Sequence, residues 1–215
     1  MTSVPATPSE ASIFVIDDDA SIRRALARLL AGQGWHVETF QSAAEFLERA
    51  PFDGNGCVVL DVYMPGMAGP EAHRKMVERG ITMPVVFLTA HGDLPTAVGS
   101  MKRGAVDFLA KPVDEELLVA TLREALARHA VSLEERRLRS GIEMRVAKLT
   151  RRQREVLSLV IAGRLNKQIA DAMGISIKTV KVHRARVMER LEVASIAGLV
   201  HACETIGLRA GPAAR

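Results

Sequence analysis

Three carboxylates, a hydroxyl and an ammonium stand where they could work together: Asp17, Asp18, Asp61, Thr89 and Lys111 all lie at the ends of short apolar runs. Several carboxylates with an oxygen-rich rim suit a hard divalent cation such as Mg2+, which prefers carboxylate and carbonyl oxygens and keeps part of its water. Asp17 and Asp18 cannot both ionise cheaply beside Asp61 unless a cation is present. Once that charge is neutralised, a carboxylate oxygen can attack phosphorus. Lys111 would then pair with a carboxylate or a phosphoryl oxygen, and Thr89 would donate to another. Taken singly these residues say little, since an Asp after a strand is an ordinary turn former and a Lys before a turn an ordinary surface residue. Their weight comes from the elements that carry them.

Ile13-Phe14-Val15-Ile16 ends in Asp17-Asp18-Asp19, Val58-Val59-Leu60 in Asp61, Val85-Val86-Phe87-Leu88 in Thr89, and the run from Val106 to Ala110 in Lys111-Pro112. Short apolar runs rich in β-branched residues read as strands buried on both faces. After Asp61 the breakers are Met64-Pro65-Gly66. Trp35 to Phe40 alternates as a further strand. Between the strands the sequence predicts helices. The first is capped by Asp19 or Ser21, carries Ile22, Leu26, Leu29 and Leu30 on one face, and ends at Gly32 or Gly34. A second runs from Ser42 to Ala50 before Pro51, a third from about Gly69 to Glu78, a fourth from about Leu94 to Lys102 before Gly104. The last starts at Asp114, with Leu117, Leu118, Thr121, Leu122, Ala125 and Leu126 as its apolar side. Strand and helix alternate five times, which implies right-handed crossovers and one parallel, doubly wound α/β sheet. The strand ends then converge at the carboxyl edge, where such sheets place their chemistry.

A chain of 215 residues, 48% hydrophobic, has room for one or two packed domains. It contains no run of about 18 apolar residues, so no membrane partner is expected. Met1 to Glu10 has neither a basic nor an apolar stretch, so residues 1–11 read as a disordered tail rather than a signal peptide. Cys57 and Cys203 are isolated and read as buried small hydrophobes, and the six histidines show no zinc spacing. A cytoplasmic protein is the expectation. Residues 1–147 carry 16 basic and 20 acidic side chains, net −4, while residues 148–215 carry 13 and 5, net +8. An acidic front and a basic back make two domains with different partners, and the back asks for a polyanion.

The segment Leu133-Glu134-Glu135-Arg136-Arg137-Leu138-Arg139 keeps a helical period with little apolar width. Residues 128–147 therefore read as a helical linker able to pair with a copy of itself, with a break at Gly141. From Leu149 the pattern is all helical. Thr150 caps Arg151 to Ile161 before Gly163, and Asn166 to Met173 ends at Gly174. Ser176 caps a helix to Leu191, and Ser195 or Ala197 opens a last one through Glu204. The joint Gly174-Ile175-Ser176 has helix-turn-helix spacing. At roughly 100° per residue, Val180, Val187 and Leu191 face the core with Arg184 at the edge, and Lys178, Lys181, Val182, Ala185 and Arg186 face away. Lysines reaching guanine edges, and Val182 or Ala185 meeting a thymine methyl, suit a major groove. Lys167, Thr179, His183, Arg184 and Arg186 are placed to hold phosphates. A merely solvated charged face is the competing reading, and the turn spacing and charge balance weigh against it.

Ile16-Asp17-Asp18-Asp19, Leu60-Asp61-Val62-Tyr63-Met64-Pro65-Gly66-Met67-Ala68-Gly69, Leu88-Thr89-Ala90-His91-Gly92-Asp93 and Phe108-Leu109-Ala110-Lys111-Pro112 resemble, in order, the receiver domain of bacterial two-component response regulators. Leu149 to Leu157, Asn166 to Ala170 and Lys178 to His183 resemble the LuxR-type helix-turn-helix, so the whole chain is similar to a FixJ/NarL-type transcriptional regulator. The resemblance implies a flavodoxin-like, five-stranded receiver at residues 12–127 and an all-α DNA-binding domain at 148–215. It implies that Asp61 accepts a phosphoryl group from the phosphohistidine of a sensor histidine kinase. It further implies that Asp17, Asp18, Asp61 and the Tyr63 backbone carbonyl bind Mg2+, that Thr89 and Phe108 form a switch pair, and that Lys111 is the phosphate partner.

One helix-turn-helix makes few phosphate contacts, so useful affinity for double-stranded promoter DNA calls for two half-sites. A homodimer formed on phosphorylation is the expectation, built on the 94–102 helix, the Val106 strand and the 114–127 helix, with RNA polymerase as a further partner to allow for. The expected protein is a phosphorylation-dependent DNA-binding transcription regulator, no enzyme beyond its own phosphoryl transfer and dephosphorylation. Two readings compete. A hydrolase of the aspartyl-phosphate type wants a second acid two residues after the nucleophile, where this chain has Tyr63. A receiver-like regulator controlled by a ligand or partner protein without phosphorylation would not need Asp61, Thr89 and Lys111 together. Tyr63 and His91 are expected to flank the approach of water.

Overall fold

The computed structural model describes residues 11–49, 51–90 and 107–209 and divides into two compact units, Met1–Leu133 and Glu134–Arg215. In the first unit β1 (Ala11–Ile16), β2 (His36–Phe40), β3 (Asn55–Asp61), β4 (Val85–Thr89) and β5 (Asp107–Ala110) form one parallel sheet in the order β2-β1-β3-β4-β5. Ile16 pairs with Phe40 on one side and Leu60 on the other, Asp61 with Leu88, and Thr89 with Ala110. Ile13, Val15, Cys57, Val59, Val86 and Leu88 enter one core together with α1 (Ala20–Gly32) and the first turns of α4 (Glu115–Ala147). Phe14, Ile16, Val58, Leu60, Val85 and Phe87 enter the other, with α2 (Ala43–Glu48) and α3 (Gly69–Glu78). Both faces of β1, β3 and β4 are thus covered, which is why these strands are continuous apolar runs rather than alternating ones.

Local chemistry sets most boundaries. Asp19 caps α1 through the N–H groups of Ser21 and Ile22, Ser42 caps α2 through Glu45, and Asp114 receives the Leu117 N–H at the start of α4. Helix α2 stops at Glu48, short of the expected Ala50, because Arg49 turns extended (ψ 147°) and its guanidinium clamps Glu38 of β2 at 2.6 and 2.8 Å. Ala11, read as the last residue of the tail, opens β1 opposite Asn55. The rest of that tail, His91, Val106 and the 94–102 helix lie outside the described residues.

Helix α4 runs unbroken through Gly141, where the sequence predicts a break. One glycine costs a helix only about 1 kcal/mol relative to alanine, and the next turn is held by Ile142, which is buried, and Val146, which packs on the second unit's core. Leu117 is exposed rather than apolar-facing. It stands roughly 100° round the helix from Leu118, off the buried stripe of Leu118, Leu122, Ala125 and Leu126. His129 extends that stripe, and its Nδ1 accepts the Gly56 N–H at 3.2 Å, tying α4 to the beginning of β3.

In the second unit α5 (Arg151–Ile161), α6 (Asn166–Met173), α7 (Ile177–Leu191) and α8 (Ile196–Thr205) enclose Val156, Leu157, Ile169, Val180, Val187 and Leu199. Thr150 and Gln153 exchange hydrogen bonds as a capping box, and Ser176 caps α7 through the Thr179 N–H. Gly174 takes φ +64°, which lets α6 end in a left-handed turn with the Ile175 N–H on the Ala170 carbonyl. No helix among the described residues is long and apolar enough to cross a membrane.

Helix α6 breaks the capping rule. Leu165 occupies its N-cap, 69% exposed and unable to accept, so only the return bond exists, from the Leu165 N–H to Gln168 Oε1 at 2.9 Å. Leu165→Ser supplies the missing acceptor and is expected to stabilise the protein by about 1 kcal/mol. The readout is a higher urea midpoint at unchanged slope. A lower midpoint would mean that the leucine side chain is worth more than the cap.

Candidate functional site

Asp17 leaves the end of β1 and Asp61 closes β3, the neighbouring strand. The strand order reverses here, with β2 on the other flank of β1, so the two carboxylates meet at the crevice that doubly wound sheets use. Carboxylate oxygens of Asp17, Asp18 and Asp61 lie within 4.8 Å of one another. Asp17 is 1% and Asp61 6% exposed, while Asp18 is open to solvent. From the end of β5, Lys111 Nζ reaches 2.7 Å from Asp17 Oδ2 and 3.1 Å from Asp61 Oδ2. Its own N–H donates to the Thr89 carbonyl at 2.7 Å, and the Lys111–Pro112 bond is cis. Thr89 is buried at the end of β4.

Two features that fix this pocket carry no signal in the sequence. Arg23 Nη1 donates to the Asp17 carbonyl at 2.6 Å, while the Asp19 N–H donates to Asp17 Oδ1 at 2.9 Å, so the acidic turn is held from α1 as well as from within. Nothing in the pattern of α1 separates Arg23 from Arg24 and Arg28. The second feature is Gly69, whose N–H bonds the Val62 carbonyl at 2.9 Å; a Cβ there would stand 2.4 Å from the Asp61 carbonyl oxygen and 3.1 Å from Phe87. Only glycine lets α3 begin this close to the end of β3.

Burial pushes the Asp61 carboxyl above its ordinary value, outweighing the Lys111 hydrogen bond that favours the charged form, and the nearby Asp17 charge adds to the rise. Burial pulls the Lys111 ammonium down, but its bonds to Asp17 and Asp61 hold it above its ordinary value overall. One ammonium therefore faces three carboxylates. The donors are all hard oxygens with no thiol or imidazole among them, the set that fits Mg2+. Tyr63 donates its N–H to Asp61, and its residue is 51% exposed beside the pocket. Phe108 stacks on Phe87 with ring centroids 4.6 Å apart and planes at 18°, and it shares a face of the sheet with Thr89.

On α7, Val180, Val187 and Leu191 are buried, and Lys178, Lys181, Val182, Ala185 and Arg186 are exposed. Lys167 is exposed on α6. Of the expected phosphate holders, Thr179, His183 and Arg184 are half-buried. The Thr179 hydroxyl shares a hydrogen bond with Ser176 at 2.8 Å, and the Arg184 guanidinium bonds Asn166 Oδ1. Arg184 is thus partly committed to joining α7 to α6.

Residues 13–123 match the family model of the response regulator receiver domain, and residues 147–203 that of bacterial regulatory proteins of the luxR family. The chain is 43% identical over 194 residues to the transcriptional regulatory protein FixJ of Azorhizobium caulinodans, covering 90% of this chain and 92% of FixJ. It is equally similar, 43% over 194 residues with the same coverage, to the tetrathionate response regulatory protein TtrR of Salmonella typhimurium. Among solved structures, the response regulator StyR aligns with TM-score 0.84 at 43% identity, covering 91% of this chain and 98% of StyR. Full-length FixJ from B. japonicum aligns with TM-score 0.56 at 38% identity, covering 94% and 99%. The similarity thus extends over nearly the full length of these relatives, across both the parallel sheet and the helical unit of this chain. The chain belongs to the two-component response regulators of the FixJ/NarL type, transcription regulators that join a phosphorylation-dependent receiver to a LuxR-type DNA-binding domain.

Proposed function

We propose that Asp61 is the phosphoacceptor of this regulator, taking a phosphoryl group from a sensor histidine kinase in the cytoplasm. The observation that carries this reading is the Lys111 ammonium bridging two nearly buried carboxylates at the carboxyl edge of the sheet. Asp17, Asp18, Asp61 and the Tyr63 carbonyl would hold Mg2+, which would supply the positive charge that lets a carboxylate oxygen approach phosphorus. Lys111 then moves from its two carboxylates to a phosphoryl oxygen, Thr89 donates to another, and Phe108 responds to Thr89 across the same sheet face. The chain catalyses only its own phosphoryl transfer and dephosphorylation. Residues 12–127 act as receiver, 128–147 as helical linker and 148–215 as DNA-binding domain. Lys178, Lys181, Val182 and Ala185 read bases, while Lys167, Thr179, His183, Arg184 and Arg186 hold phosphates of promoter DNA. Phosphorylation drives a homodimer onto two half-sites, from which RNA polymerase is engaged.

Incubation with Mg2+ and a small phosphodonor tests the reading. The expected product is one acyl phosphate per chain, labile to hydroxylamine, accompanied by a shift from monomer to dimer in sedimentation and tighter binding to promoter duplex. A folded protein that takes up no labile phosphate under these conditions would sink it.

A further inference from the structure

Away from the first turn of α7, Arg186 and Arg190 line a cavity of about 330 Å3 with Gln153, the third residue of α5, and Glu189. Gln153 is only 6% exposed, and its amide is put to two different uses. Its Oε1 accepts the Thr150 N–H at 2.9 Å, completing the capping box whose other half is the Gln153 N–H on Thr150 Oγ1 at 3.3 Å. Its Nε2 has no partner among the described residues. A capping box is served by either Glu or Gln, and the two differ in what remains. Glutamate would leave a second acceptor, whereas glutamine leaves two N–H donors on a residue that lines the cavity.

The surroundings ask for an anion. Arg186 makes no hydrogen bond or ion pair among the described residues, and Arg190 gives one nitrogen to the Lys148 carbonyl and keeps the rest of its fork. The first turn of α5 contains no acid, although the positive end of a helix ordinarily draws one. Two guanidinium groups and an amide donor stand against the single carboxylate of Glu189, which is open to solvent and screened. Arg186 lies one turn beyond Val182 on the exposed side of α7, so the cavity borders the proposed reading face.

We infer that Gln153 Nε2, Arg186 and Arg190 form a seat for one phosphate of the DNA backbone, which fixes how α7 lies in the groove without reading sequence. This rests on the DNA-binding surface proposed above and adds Gln153 and Arg190 to it. Gln153→Glu is the discriminating variant, because its carboxylate keeps the bond to the Thr150 N–H while setting a negative charge against the phosphate. The full chain is titrated with a mixed-sequence duplex between about 50 and 200 mM salt. Gln153→Glu is expected to melt as the parent does, to bind about tenfold more weakly, and to show a slope of log K against log salt shallower by about 0.9, the signature of one lost phosphate contact. Arg190→Gln, which can still donate to the Lys148 carbonyl, is expected to flatten the slope by the same amount and decides the matter should the glutamate variant fold poorly. Parent-like affinity and slope in both variants would overturn the seat while leaving the DNA-binding reading intact. A parent protein that binds no duplex at any salt would remove that reading and the seat together.

Discussion

Asp61→Asn is expected to take up no phosphate while folding at least as well as the parent. The amide nearly matches the carboxylate in volume, and its oxygen can still accept from Lys111, but it has no anionic oxygen to attack phosphorus. Removing the charge also removes the cost of burying it. The parent's Asp61 carboxyl is raised above 3.8 by burial, so the folded state holds its proton more tightly than the unfolded state. Stability from this group is then greatest at low pH and declines as pH climbs from 3.8 through the raised folded value. The Asn variant lacks that decline. Urea midpoints taken across the acidic range, alongside labelling by a phosphodonor with Mg2+, read both effects. Labelling retained in the Asn variant would remove Asp61 as the acceptor.

Lys111→Ala should cost more in folding. It leaves Asp17 and Asp61 facing each other, both nearly buried, without the ammonium that bridges them. Stranding a buried partner costs about 3–5 kcal/mol in closed interiors; the open Asp18 side of the pocket admits water, so a loss of about 2 kcal/mol is expected at neutral pH in the presence of a chelator. The parent's Lys111 is held above 10.5, so its contribution is complete throughout the neutral range and disappears only as pH rises through that folded value. Added Mg2+ should restore much of the loss in the variant and less in the parent, since a cation can replace the missing charge on the same carboxylates. Phosphate uptake should fall sharply even so, because the ammonium proposed to meet the phosphoryl oxygen is gone. Equal denaturation midpoints for parent and variant in chelator would show that the bridge contributes nothing to stability.

What could be read from the sequence follows from which interactions are local. The strands bearing Asp17, Asp61 and Thr89 were legible because each apolar run stops at a polar residue, and Thr150, Ser176 and Gly174 marked helix ends because a cap is a contact within one turn. Gly141 misled for the complementary reason: propensity argues for a break, and packing of Ile142 and Val146 overrides it. Arg23 and Gly69 could not be singled out at all. The first is defined by a carbonyl on the preceding turn, the second by how closely α3 comes to β3, and neither distance has a pattern in the chain. In the basic unit the faces of α7 were readable from helical periodicity, but the commitment of Arg184 to Asn166 and the leftover donors of Gln153 appear only when α5, α6 and α7 are seen side by side.

The lysine bridge joins residues 94 positions apart, and Asp61 comes from a strand between them. No contiguous fragment shorter than residues 17–111 contains the three groups, and β1, which Asp17 follows, needs partners on both sides that are synthesised after it. The acidic pocket is therefore complete only when the non-local strand pairs have closed. A truncated or locally unfolded chain would present Asp61 as an ordinary solvated carboxylate, without the Lys111 ammonium beside it. On the role proposed for Asp61, competence to be phosphorylated would then require a closed sheet.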